Sequence, residues 1–211
     1  MSEVSAILLA AGAGSRFGGG KLLAPFGGRP LIEVTLSELR QARVGEIMVV
    51  VGKDAEELRS VCEPYGVRVI ENPYWARGMS TSVRAGFLAC SRKAWAAVVS
   101  LADQPLVGAE AVERLVGAFE GGSEVAVATY GGERRNPVLF AREVWPLLLG
   151  ELSGDKGARA FLKRHPELVT EVVCDDVANP ADVDTVEDLR RLEEEISAPL
   201  SQRDLGKGGS L

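Results

Sequence analysis

The chain has 211 residues, 46% hydrophobic and 26% charged, enough apolar material for one packed domain of ordinary size. Its net charge of −6 excludes the broad basic footprint of a nucleic-acid binder, although local cations and backbone amides can still hold an anionic substrate. Cys62, Cys90 and Cys174 lack CxxC spacing and His165 is the single histidine, which excludes a disulfide or zinc framework, a Ser-His-Asp triad and a multi-histidine metal centre. Any metal has to sit on carboxylates. The opening "MSEVSAILLAAG" has no secretory pattern and no apolar run is long enough to cross a bilayer, so no membrane partner and a reducing, cytoplasmic setting are expected.

"SAILLAA" reads as a first strand, and the segment from Pro30 to about Arg43 has helical spacing. "EIMVVVG" is a second strand and "DAEELRSVCEPY" a helix; "VRVIEN" is a short third strand and "MSTSVRAGFLACSR" a helix. "AAVVSLAD" is a fourth strand, followed by the helical "AEAVERLVGAFEG". Continuous apolar strands alternating with amphipathic helices predict a parallel sheet covered on both faces. The pattern then loosens. "EVAVATYGGERRNPVLF" predicts two strands about a turn, hence antiparallel pairing in the second half. Helices at "REVWPLLLGEL" and "DKGARAFLKRH", a strand at "VTEVVCDDV" and a closing helix at "TVEDLRRLEEEIS" complete the chain. The expectation is a single Rossmann-like three-layer α/β/α domain over residues 1–197, with 198–211 a flexible, glycine-containing tail.

The first strand runs into "AAGAGSRFGGGK". A dinucleotide fingerprint needs G-x-G-x-x-G, but Gly12 and Gly14 are followed only by Gly18, one residue late. A P-loop needs G-x-x-x-x-G-K-[ST]; here Ser15 stands for the first glycine and Leu22 for the magnesium-binding hydroxyl. Both fail on spacing. What remains is a long turn whose glycines permit close backbone approach and positive φ, with amides suited to an anion nest, Arg16 as a fork and Lys21 as a point charge. That set suits a triphosphate.

"LAAGAGSRFGGGKLL" resembles the L-A-[AG]-G-x-G-x-R-[MF]-G-x-x-K signature of the MobA-like nucleotidyltransferase superfamily, and its Ala-Ala-Gly form resembles the molybdenum cofactor cytidylyltransferase branch. The guanylyltransferase branch more often reads Ala-Gly-Gly. The resemblance implies a GT-A-like nucleotidyltransferase fold whose loop, Ala10, Ala11, Gly12, Ala13 and Gly14 with Arg16 and Lys21, wraps a nucleoside triphosphate.

In "VVSLADQPLV", Asp103 follows an apolar strand at the edge where open parallel sheets bind ligands. Alone it reads equally as a turn or cap residue. "ADQP" resembles the family's [GA]-D-x-P motif, whose aspartate ligates metal, so Asp103 is expected to hold Mg²⁺, or Mn²⁺, against the α-phosphate. In "NPADVDTVEDL", alternation puts Asp182 and Asp184 on one side of an extended segment, as candidates for a second metal contact. Thr185 and Asp188 have capping-box spacing and read as structural. The stretch resembles the family's D-[IV]-D-T-P-E-D-L, with Val186 in place of proline.

"ENPYWARGMSTS" resembles the family segment beside the nucleotide base, which implies nucleotide-binding roles for Asn72, Gly78, Ser80 and Ser82; hydroxyls at a helix start are equally caps. "ERRNPVLF" and "GDKGAR" resemble the acceptor side of the cytidylyltransferases and implicate Arg135, Asn136, Asp155, Lys156 and Arg159. Arg135-Asn136 replaces the usual Gly-His, which leaves acceptor preference open. The resemblance implies transfer of CMP from CTP to the phosphate of Mo-molybdopterin with release of pyrophosphate, catalysed by alignment and charge stabilisation, with Arg16, Lys21 and Asp103 central. Two other readings stay open: a related transferase using GTP or a sugar or alcohol phosphate, and a nucleotide-binding chaperone that delivers cofactor to an apo molybdenum hydroxylase. A dinucleotide-dependent oxidoreductase fits the broken fingerprint poorly.

Overall fold

The structure, a computed structural model, describes residues 3–197; the expected tail lies outside the described residues. Strand β1 (Val4–Ala10) is buried along its whole length, because it lies mid-sheet with helices on both sides. It pairs in parallel with β4 (Glu46–Val51) and β6 (Ala96–Leu101), and β4 pairs in parallel with β5 (Arg68–Glu71). The antiparallel hairpin β7 (Val125–Tyr130) and β8 (Glu133–Ala141) extends the other edge, β9 (Val169–Val173) runs parallel to β7, and the order is β5-β4-β1-β6-β8-β7-β9. The mostly parallel sheet with antiparallel pairing in its second half therefore matches the pattern read from the sequence.

Period-2 alternation divides the core. Leu8 and Val49 pack under α1 (Leu31–Leu39), α2 (Ala55–Cys62) and α4 (Ala109–Glu120), through Leu36, Leu58 and Leu115. Ile7, Leu9 and Val50 face α3 (Met79–Ala89), α5 (Trp145–Glu151) and α6 (Arg159–Arg164), through Val83, Phe87, Trp145 and Phe161. Each such side chain, fully buried, contributes roughly 1.5–3 kcal/mol. Gly86 lets α3 lie directly on Ile7, where any Cβ would clash.

One element does not follow from periodicity. Pro25–Phe26 and Arg29–Pro30 form a two-strand ribbon, β2 and β3, around Gly27 and Gly28 at φ +58° and +81°. Positive φ at both central residues is the type I′ hairpin turn, which glycine makes without strain. Phe26 and Leu31 pack on Leu189 and Leu192 of α7 (Val186–Ser197), and the Gly27 amide donates to Glu193 Oε1 at 2.8 Å. The ribbon thus anchors α7, and the acidic segment before it, beside the glycine turn. No helix among the described residues is long and apolar enough to cross a membrane.

Candidate active site

Parallel strands deliver their carboxyl ends to one edge. The glycine turn leaves β1 there, Lys53 follows β4, Asn72 follows β5 and Asp103 follows β6. Strand β8 runs the opposite way and pairs Val138 with Val99, so its beginning, Arg134 to Asn136, reaches the same edge.

The turn is held open by Gly14, Gly18, Gly19 and Gly20 at φ +58°, +94°, +97° and +63°. The amides of Phe17 and Gly19 close onto the Gly14 carbonyl at 3.0 and 3.1 Å. Those of Gly12, Ala13, Gly14 and Ser15 donate to no protein group among the described residues. Unspent consecutive amides beside a cavity are an anion nest. Lys21 closes the turn: its ammonium, only 12% exposed, donates to Asp103 Oδ2 at 2.6 Å and lies 3.6 Å from Asp184 Oδ1. Arg16, 73% exposed, reaches Asp184 Oδ2 at 2.9 Å. Residues read as three separate motifs thus form one charge cluster.

Asp182 joins from the side. Its Oδ1 accepts from Gln104 Nε2 at 2.9 Å. Burial, then the neighbouring Asp103 charge, pushes its carboxyl above the usual range, against the lowering effect of the Gln104 bond. Gln104 is buried, donates also to the Pro180 carbonyl, and so ties the acidic segment to the Asp103 turn. Thr185 and Asp188 form the expected capping box: the Asp188 amide donates to Thr185 Oγ1 at 3.1 Å and the Thr185 amide to Asp188 Oδ2 at 3.0 Å.

The donor set fits a divalent ion. Asp103 and Asp184 converge on one cationic position, filled here by Lys21 Nζ. Mg²⁺ and Mn²⁺ are oxygen-seeking; one or two carboxylates with substrate phosphates and water are the usual Mg²⁺ ligand set. Among the described residues no group of three or more His, Cys, Asp or Glu side chains could hold a metal alone.

Two cavities open along this edge. The first, about 370 Å³, is lined by Ala11, Gly12, Ala13, Gly78, Ser82, Asp103 and Asp155, with Leu9, Trp75, Ala76, Met79 and Leu101. The second, about 290 Å³, is lined by Arg135, Asn136, Asp155, Lys156 and Arg159, together with Arg134, Val127, Val138, Ala158 and Leu162. Met79, Leu101 and Asp155 belong to both and form their common wall. All five residues implicated on the acceptor side thus gather in the second cavity. Arg134 and Arg135 are paired with Glu171 and Glu133, whereas Lys156 and Arg159 form no ion pair among the described residues. The second cavity therefore holds two cations free to meet an anion.

Ala10 is buried at the end of β1 and does not line the first cavity; neither do Gly14, Arg16, Lys21, Asn72 or Ser80. Asn72 holds its neighbours instead, donating from Nδ2 to Thr81 Oγ1 and Ser82 Oγ at 2.8 and 2.9 Å. Gly78, at φ +112°, provides clearance: a Cβ there would stand 2.6 Å from Asp155 Oδ1. Trp75 and Met79 acquire no role from the sequence. Trp75 follows a strand end as an aromatic, and Gly52 supplies its space, since a Cβ at Gly52 would meet Trp75 Cγ at 2.7 Å.

Known proteins resemble this chain over most of its length. The MobA-like NTP transferase domain matches residues 6–169. Nicotine blue oxidoreductase of Paenarthrobacter nicotinovorans is 36% identical over 199 residues, covering 90% of this chain and 96% of that protein. Molybdenum cofactor guanylyltransferase of Ralstonia nicotianae is 30% identical, covering 92% and 97%. The crystal structure of an Rv0371c homologue from Mycobacterium sp. strain JC1 superposes with a TM-score of 0.81 at 30% identity, covering 92% and 96%. That of Rv0371c from Mycobacterium tuberculosis in complex with manganese gives 0.77 at 28% identity, covering 92% and 98%. The chain belongs to the MobA-like NTP transferase family.

Proposed function

We propose that the protein transfers a nucleoside monophosphate, CMP from CTP, to the phosphate of Mo-molybdopterin, forming molybdopterin cytosine dinucleotide and pyrophosphate. The observation that carries this reading is the pair of cavities joined at Met79, Leu101 and Asp155. One is walled by Gly12 and Ala13 of the anion nest and by Asp103, the other holds Lys156 and Arg159, which form no ion pair among the described residues. Two anionic substrates side by side suit group transfer between them. The Ala11 position favours CTP, by the resemblance stated above; the guanylyltransferase name of one relative points to GTP as the competing donor.

An oxygen of the acceptor phosphate attacks the α-phosphorus, the bond to the bridging oxygen breaks, and pyrophosphate leaves with that electron pair. The acceptor is its own nucleophile, so no protein nucleophile is needed. The amides of Gly12 to Ser15 and the Arg16 and Lys21 side chains neutralise the triphosphate, while Lys156 and Arg159 align the acceptor. Asp103 and Asp184 would hold a divalent ion, which when bound supplies charge neutralisation at the reacting phosphate.

The test is incubation with Mg²⁺ or Mn²⁺, Mo-molybdopterin and each of the four NTPs, with pyrophosphate and dinucleotide measured. Acceptor-dependent pyrophosphate, fastest with CTP, is expected. Faster turnover with GTP would move the donor assignment, and no turnover with any nucleotide would overturn the transferase reading. A second reading has one observation in its favour, the 36% identity to a protein named an oxidoreductase. Consumption of NADH or NADPH with nicotine blue, and no pyrophosphate in the transferase assay, would favour it. Co-elution with an apo molybdenum hydroxylase would add a delivery role to either.

A further inference from the structure

Much of the second cavity's wall comes from one stretch of chain, 152–165, which leaves α5 and returns through α6. It supplies Asp155, Lys156, Ala158, Arg159 and Leu162. Gly154 and Gly157, at φ +58° and +51°, turn the chain between the two helices. The helix itself, Arg159–Arg164, is too short to hold its place by backbone bonds alone. A carboxylate closes the stretch. Glu151, the last residue of α5, has Oε1 3.0 Å from His165 Nε2 and Oε2 2.7 Å from an Arg164 guanidinium nitrogen. The Arg164 contact is one of charge without hydrogen-bond alignment, on an oxygen closed to solvent, so the directed bond is the one from His165. The imidazole packs on the Phe161 ring at 4.6 Å, and its Nδ1 lies 3.3 Å from Glu167 Oε1. Both ring nitrogens thus face carboxylate oxygens, which only accept, and only the doubly protonated ring satisfies both.

We propose that Glu151 is a positioning residue for the second cavity, clasping the end of α5 to the end of α6 and so fixing where Lys156 and Arg159 stand, with the charge on His165 tightening the clasp. Its kinetic consequence rests on the transferase reading above; its structural consequence does not. The charged groups that face the imidazole among the described residues are Glu151 of α5, Glu167 of the turn after α6, and Arg164 of α6 across the shared carboxylate. The hydrogen bond to Glu151, opposed by desolvation and helped by Glu167, holds the imidazole above the ordinary histidine value. The clasp is therefore complete below that ordinary value and loosens as pH rises through the raised folded one.

The test compares the untagged full chain with His165→Gln and Glu151→Gln at about pH 6 and about pH 9, either side of the histidine range. Glutamine keeps a side-chain donor but never charges, so His165→Gln stands in for the neutral ring. Hydrogen exchange of the 152–158 amides is measured, together with KM for Mo-molybdopterin and for CTP. His165 is the single histidine, so its NMR titration is read in wild type and Glu151→Gln without ambiguity. At pH 6, His165→Gln is expected to exchange these amides about 3-fold faster than wild type and to raise the acceptor KM about 3-fold, the scale of one part-exposed ion pair. At pH 9 both ratios return to about 1, since the wild-type ring is then neutral too. Titration of the acceptor phosphate cancels, because variant and wild type are compared at one pH. The KM for CTP stays unchanged, and Glu151→Gln moves the imidazole titration to lower pH. Ratios that are the same at both pH values, or an imidazole titration unmoved in Glu151→Gln, overturn the clasp. Equal rises in both KM values overturn the positioning role. No turnover with any NTP in wild type removes the transferase reading, and exchange and titration then decide the clasp alone.

Discussion

Gly78→Ala exposes how the two cavities depend on one contact. Gly78 sits at φ +112°, ψ +163°, a region that residues with a Cβ rarely adopt. Holding alanine there costs about 1–3 kcal/mol of backbone strain. A Cβ would also stand 2.6 Å from Asp155 Oδ1 and 2.7 Å from the Gly154 carbonyl carbon and oxygen. Two of those three atoms are backbone, so the turn at Gly154–Lys156 has to move. Asp155 walls both cavities and Lys156 the second, so the displacement is felt by both substrates. A midrange cost of about 2 kcal/mol lowers Tm by about 4–8 °C in a chain of this size. A shift of about 1 Å in the common wall costs about 100-fold in kcat/KM. Gly66→Ala is the control, because Gly66 is at φ +68° with nothing within 4 Å of its Cβ position. It should lower Tm comparably or less and leave kinetics unchanged. Melting curves and transferase kinetics on the two variants decide the matter: identical kinetics in both would refute the clearance role of Gly78.

Asp103→Ala is expected to abolish turnover while the melting transition stays cooperative, since its side chain serves the Lys21 cluster at the cavity rim; rates near wild type would remove Asp103 from the metal site. Lys156→Ala and Arg159→Ala should each raise the acceptor KM about 10-fold with the nucleotide KM unchanged, read from initial rates with each substrate varied while the other is saturating. Thr185→Ala removes one half of the capping box and should cost about 1 kcal/mol, or about 2–4 °C in Tm. For Asp182 the folded protein holds the carboxyl above its unfolded range, so its ionisation opposes folding increasingly as pH rises from the unfolded value, and fully above the folded one. Asp182→Asn keeps the bond from Gln104 and should be more stable than wild type at pH 7. That gain should vanish as pH falls toward the unfolded aspartate value; a gain independent of pH would contradict the assignment.

Much of the fold is legible because its signals are local. A strand buried on both faces has to be mostly apolar, and β1, β4 and β6 are, apart from Ser5, Glu46 and Ser100. The capping box spans four residues, Thr185 to Asp188, and needs no partner from elsewhere. The ribbon at Pro25–Pro30 escapes periodicity because each strand has two residues, though its paired glycines carry the turn signal. Site chemistry divides the same way. The glycine turn declares an anion nest by itself, whereas the function of Asn72 depends on which of its atoms face Tyr74 and Ser82, and no spacing rule encodes that.

The acceptor side shows where the boundary falls. "ERRN" looks like a solvated charge run, and for Arg135, paired with Glu133, it partly is. What makes the segment part of a site is strand order. With β8 antiparallel to β6 and Val138 opposite Val99, the start of β8 arrives where β1 and β6 end. Had β8 run parallel to β6, Arg134 to Asn136 would lie at the opposite edge, far from Asp103. The reversal of one strand therefore brings Arg134, Arg135 and Asn136 into the wall of the second cavity, at the edge where the glycine turn and Asp103 lie. With every strand parallel, that edge would receive only strand ends and the opposite edge only strand beginnings.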